Sequence, residues 1–170
     1  MTALRDIGEG GLLKLILPHL SMRGGDLLVG PGEDDAAAWS DPPGGTTVAT
    51  VDAFVEGVHF DRRWLRVEEI GWRALALTLG DLACKGARPT YGLVSVSVPD
   101  SWTAEDVVGL YMGMSGLAGD VGLRLAGGDT TSAPRHACLA VTVLGRPAGA
   151  VVPRSAARPG WSVAVTGRLG

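Results

Sequence analysis

Hydrophobic positions along this chain follow two rhythms, and the switches between them outline its elements. Residues 91–98, YGLVSVSV, alternate strictly and predict a strand; β-branched or apolar runs at 27–29, 46–51, 137–144 and 161–167 predict others. Over 66–85 the apolar residues Val67, Ile70, Ala74, Leu77 and Leu82 recur at helical spacing. Glutamates occupy the first turn of that helix, where its dipole favours them, and Gly86 stands at the stopping position. A second helix is predicted over 103–119, with Thr103 as N-cap and Asp106 in a near-capping-box position. Leu12, Leu13, Leu15, Ile16 and Leu20 suggest a helix within 8–20 that Pro18 kinks or ends. DPPGG at 41–45 punctuates, residues 123–126 run into GGDTT, and 147–160 read as a loop or linker. Strands and helices mix without a regular βαβ period, so the expected class is α+β.

At 170 residues the chain suits one ordinary domain, or one domain and the opening of a second. The formal net charge is −3 and no block of five basic residues occurs, which argues against a nucleic-acid partner. Cys84 and Cys138 form neither a disulfide framework nor a zinc pattern and are expected to be reduced core thiols. The N-terminus carries charges where a signal peptide needs an apolar stretch, and no run approaches 18 apolar residues. The expectation is a cytoplasmic protein without a membrane partner. The 26 glycines and 10 prolines fall between periodic segments and read as turns.

The acidic residues are few but bunched. Asp34 and Asp35 sit in GEDDAA, Asp52 closes a β-branched run, Asp81 lies in TLGDLACKGA and Asp129 in GGDTT. Singly, each has an ordinary explanation: a turn former at Asp52, a solvated turn at Asp34 and Asp35, a helix ion pair from Asp81 to Lys85, a turn cap at Asp129. Together they are set among glycine, small and hydroxyl residues that let a cation or phosphate approach the backbone. Two carboxylates about 4 Å apart repel by roughly 4 kcal/mol at an effective dielectric near 20, and a bound cation removes that cost. Carboxylate, threonine hydroxyl and main-chain carbonyl are hard oxygen donors, which suit Mg²⁺ and disfavour zinc. His59, in GVHF, is either an ordinary half-buried residue or a donor to substrate; Arg154 is either a solvated loop residue or a phosphate ligand. No Walker A or protein-kinase signature is present.

GEGGLL at 8–13, GPGEDDAA at 30–37, TVDAFVEGVHF at 50–60, GDLACKGARP at 80–89, GGDTT at 127–131 and RSAARPG at 154–160 occur in one order. In that order the chain resembles the thiamine-monophosphate kinases of the AIR synthase-like superfamily. The resemblance implies an AIR synthase N-terminal-like domain, a mixed sheet packed with helices and completed by dimerisation. It implies transfer of the γ-phosphoryl of ATP to thiamine monophosphate with several Mg²⁺ ions, by alignment and charge neutralisation, with no covalent protein nucleophile. Carried over, Asp35, Thr50, Val51 (through its main chain), Asp52, Asp81 and Asp129 are metal ligands; Gly128, Asp129 and Arg154 hold ATP; His59 touches thiamine monophosphate. Residues 1–150 would form the ATP- and Mg²⁺-binding domain, and 151–170 the linker and first strand of a C-terminal domain. The chain departs from the pattern in GEDD for GDD, Val51 for threonine, TLGD for NLSD, and Lys85 at a position usually apolar. Other readings are a non-catalytic dimerisation or nucleotide-binding module, or a related enzyme: selenophosphate synthetase, a hydrogenase-maturation protein or aminoimidazole ribotide synthetase. Half of a two-domain kinase is expected to be a poor catalyst alone.

Overall fold

The computed structural model describes residues 10–11, 14–15, 17–20, 24–34 and 36–167. Six strands occur among them: β1 (Leu27–Val29), β2 (Ala37–Asp41), β3 (Gly45–Val55), β4 (Ala87–Val98), β5 (Arg124–Ser132) and β6 (Cys138–Pro147). They form one mixed sheet in the order β1-β2-β3-β6-β4-β5, antiparallel except where β4 and β5 run parallel. Two helices, α1 (Val67–Cys84) and α2 (Ala104–Val121), join this sheet in an α+β arrangement. The connection from β4 to β5 passes through α2, as a parallel pair requires a crossover.

Alternation along the strands divides the sheet. Val48, Thr50 and Phe54 of β3, Val94 and Val96 of β4, and Leu139, Val141 and Val143 of β6 are buried with Ile70, Leu75, Leu82, Leu110 and Met114 of the helices. On the intervening positions Val51, Tyr91 and Leu93 are exposed, so the opposite face of the sheet is largely uncovered by the described residues.

The helices meet backbone to backbone. A Cβ on Gly71 of α1 would lie 2.0 Å from the Leu110 carbonyl oxygen, and one on Gly113 of α2 would lie 1.9 Å from that of Glu68. Only glycine permits this spacing at either position. Thr103 caps α2 by accepting from Asp106 N–H at 3.1 Å, while Thr103 N–H donates to the Asp106 carboxylate at 2.9 Å. That backbone bond, aided by Arg62, holds the Asp106 carboxyl below the usual range against a partial burial effect. Gly122, left-handed at φ 73°, ends the helix.

Several expectations change. β3 runs on to Val55, so Asp52 lies inside a strand, opposite Val141 of β6, and not at its end. GGDTT is part of edge strand β5 and not a turn. Residues 161–167 are exposed and form no strand, because no strand among the described residues pairs with their alternating pattern. Leu77 is half-exposed and outside the core, and Cys84 is an exposed thiol at the end of α1. The early apolar stretch behaves as expected where it is described: residues 10–11 and 14–15 are helical and Leu17–His19, containing Pro18, is a short 3-10 turn, while Leu12, Leu13 and Ile16 lie outside the described residues.

The helix contact predicts that Gly71→Ala lowers stability by about 2–3 kcal/mol, as overpacking a closed interface does. Urea unfolding measures it, and an unchanged midpoint contradicts the contact.

Candidate functional site

Thr50, Asp52 and Phe54 alternate along β3 on the face that α1 crosses. Asp81 sits near the C-terminal end of α1, and the Thr50 hydroxyl lies 3.5 Å from its Oδ2. Beside this pair a 240 Å³ pocket is lined by Asp52, Ala53, Phe54, His59, Ala74, Leu77 and Asp81. Three polar residues singled out in the sequence, Asp52, His59 and Asp81, thus share one small opening. Leu77 is exposed because it forms part of that opening.

His59 is fixed by its own turn. Its backbone N–H donates to the Val55 carbonyl at 2.8 Å, and Val55 N–H donates to His59 Nδ1 at 3.0 Å. With Nδ1 accepting, the neutral ring carries its proton on Nε2, the nitrogen left to serve a ligand. The ring stacks on Phe54 at 5.7 Å, Phe54 on Phe60 at 5.2 Å, and Phe60 meets Trp102 edge-on at 6.4 Å. Arg62 lies 4.5 Å above Trp102 and pairs with Asp106 at 2.8 Å, so the histidine ends an aromatic column anchored at the start of α2. On the far side of His59 a second pocket, of 350 Å³, includes Asp61, Trp64 and Arg73. Trp64 and Arg73 were not foreseen, since neither belongs to an acidic motif.

The acidic turn takes another form. Gly30 N–H donates to Glu33 Oε2 at 2.8 Å, closing the turn, and the following Asp34 side chain is fully buried. Lys85 Nζ lies 2.5 Å from Asp34 Oδ1, itself only 6% exposed, and Arg154 N–H donates to Asp34 Oδ2 at 2.7 Å. Asp34 is therefore not a solvated turn residue. Removing one member of such a buried pair costs about 3–5 kcal/mol, because the other is left charged without compensation. Asp35 lies outside the described residues.

The convergence expected of all four acidic motifs holds only in part. Across the sheet, Asp52 is opposite Val141, which is opposite Val94, which pairs with Gly128. Three strand spacings of about 4.8 Å put β5 roughly 14 Å from β3. Asp129 pairs with Ser95 on the sheet's other face and is exposed, whereas its neighbour Thr130 bonds to Tyr111 of α2. Gly128 packs so tightly on β4 that a Cβ would lie 1.7 Å from the Val94 carbonyl oxygen. The Val51 side chain is also on the outer face.

Among the described residues no group of three histidine, cysteine or acidic side chains is placed to hold a metal. For Mg²⁺ this is no obstacle: the ion keeps several waters and is commonly bound through one or two carboxylates plus substrate phosphates. Thr50, Asp52 and Asp81 offer oxygen only. A 240 Å³ pocket admits an ion with several waters at about 30 Å³ each.

The family model for AIR synthase related protein, N-terminal domain, matches residues 33–146. Thiamine-monophosphate kinase of Bacillus subtilis is 40% identical over 138 residues, covering 81% of this chain and 42% of that protein. The crystal structure of thiamine-monophosphate kinase from Stenotrophomonas maltophilia superposes with a TM-score of 0.57 at 33% identity, over 85% of this chain and 42% of that one. A structure of AaThiL complexed with AMPPCP and TMP superposes with a TM-score of 0.76 at 25% identity, over 86% of this chain and 44% of that one. The chain thus spans about half the length of the curated relatives it matches.

The turn geometry predicts that the neutral His59 ring is the Nε2–H tautomer. Long-range ¹H–¹⁵N correlation spectra read this directly; a protonated Nδ1 in the neutral ring contradicts the Val55 contact.

Proposed function

The chain belongs to the AIR synthase related family, spanning its N-terminal domain, and on that premise we propose that it is the metal- and nucleotide-binding half of a thiamine-monophosphate kinase. The reaction is transfer of the γ-phosphoryl of ATP to the phosphate of thiamine monophosphate, giving thiamine diphosphate and ADP. The observation that carries this reading is the single pocket shared by Asp52, Asp81 and His59, with the Thr50 hydroxyl beside Asp81. Similarity to kinases of that name, and to a structure complexed with AMPPCP and TMP, supports the choice of substrates.

In this reading Asp52 and Asp81 hold Mg²⁺ with help from Thr50 and the main chain of Val51. Bound Mg²⁺ supplies charge neutralisation on the polyphosphate. The His59 Nε2–H donates to the phosphate of thiamine monophosphate, and the aromatic column behind it keeps the ring from turning away. Asp35, Asp129, Gly128 and Arg154 complete the metal and nucleotide contacts in the family's arrangement. Asp129 and Gly128 reach that role only with groups from beyond this single sheet, since β5 lies about 14 Å from β3. Residues 1–150 form the binding domain, and 151–170 lead towards a second domain that shares the site.

A homodimer formed through the outer sheet face fits the same reading. Val51, Tyr91 and Leu93 are exposed there, and a second copy would bury them. No described helix is long and apolar enough to cross a membrane, and a kinase of ATP and a soluble vitamin phosphate belongs in the cytoplasm.

Calorimetric titration with Mg²⁺ and a non-hydrolysable ATP analogue tests the assignment. The chain is expected to bind, and Asp52→Asn to weaken binding by about tenfold or more, equivalent to ~1.4 kcal/mol or greater. No binding, or binding indifferent to Asp52→Asn, refutes it.

A further inference from the structure

Lys85 is one of the few buried polar residues, and its ammonium lies 2.5 Å from a carboxylate oxygen whose side chain has no exposure. It stands one helical turn beyond Asp81, on the same side of α1. The aliphatic stem thus leaves the face that carries the proposed metal ligand, and the charge ends on the acidic turn. Asp34, in turn, accepts from the backbone of Arg154. One ammonium therefore ties together the end of α1, the acidic turn and the start of the 154–156 turn.

We propose that Lys85 is a built-in cation: it neutralises Asp34 where a carboxylate of the acidic turn would otherwise recruit a divalent ion, and positions that turn and Arg154 with no metal bound. The inference deepens the metal-site reading above and rests on it for the meaning of the neighbouring ligands. An ammonium fits the observed geometry because it has three donors, no acceptor and a single charge; with Asp34 already hydrogen-bonded by a main-chain N–H, its carboxylate is compensated. Asp52 and Asp81 line an opening that includes neither Lys85 nor Asp34, and keep their role towards exchangeable Mg²⁺.

The proposal is tested by counting bound Mn²⁺ by equilibrium dialysis with spin-resonance detection, and by measuring thermal midpoints with and without Mn²⁺. Lys85→Met keeps the stem's volume and removes the charge; it is expected to bind one Mn²⁺ more than the wild type, and its midpoint to rise more on adding Mn²⁺. Lys85→Arg is expected to behave as wild type. Lys85→Met with Asp34→Asn should lose the added ion, because the carboxylate that recruits it is gone. A Lys85→Met protein with unchanged Mn²⁺ stoichiometry, or one that is unfolded and not restored by Mn²⁺, overturns the proposal. Wild-type protein that binds no Mn²⁺ refutes the Asp52 and Asp81 assignment instead, while the gain or absence of one ion in Lys85→Met still decides the role of Lys85.

Discussion

The close approach of α1 to α2 is the constraint on which the site depends. Gly71 and Gly113 each face a carbonyl oxygen of the other helix at a distance that no side chain tolerates. Pressed against α2 on one side, α1 has little freedom to roll on the sheet with the other. Ile70, Ala74, Leu75, Thr78 and Leu82 are buried as a result, and Asp81 and Lys85 follow at fixed angles around the same axis. The Thr50 to Asp81 contact and the Lys85 to Asp34 contact are consequences of one helix placement.

That placement concentrates carboxylates, and the fold handles them in two ways. Asp34 is buried and carries its own countercharge, so its cost is met within the chain. Asp52 and Asp81 remain at the edge of an opening with a hydroxyl and a histidine, where a hydrated cation can reach them. The difference in burial separates a carboxylate compensated within the chain from two that line an opening. Between them, Thr50 belongs to β3 and Asp81 to α1, so any ion held there also pins the helix to the sheet.

Much of this was legible in the residues. Strict alternation gave β4, and the Thr103 and Gly86 signals bounded the helices, because those features act within a few residues. The acidic motifs were legible as motifs for the same reason, and the structure brings Asp52 and Asp81 to one opening. What failed depended on partners far away in sequence. β3 extends to Val55 because Cys138 and Leu139 of β6 continue the ladder, so Asp52 became an interior residue. GGDTT looks like a turn by composition, and only the crossover through α2 lays it beside β4 and turns Asp129 outward. Residues 161–167 have the pattern of a strand, but among the described residues none pairs with them. Lys85 suggested a helix ion pair with Asp81, four residues before it; that Asp34 is its buried partner could be seen only once the acidic turn folded onto the end of α1.

The decisive point is where a divalent ion binds. Paramagnetic broadening of backbone and histidine resonances by substoichiometric Mn²⁺ locates it without assuming any activity. The predicted result is early loss of the Thr50, Asp52, Asp81 and His59 signals, while those of Asp129 and Thr131 on β5, about 14 Å from β3, outlast them. Broadening centred on the Asp129 strand, with the Asp52 and Asp81 signals intact, would contradict the site described for this chain.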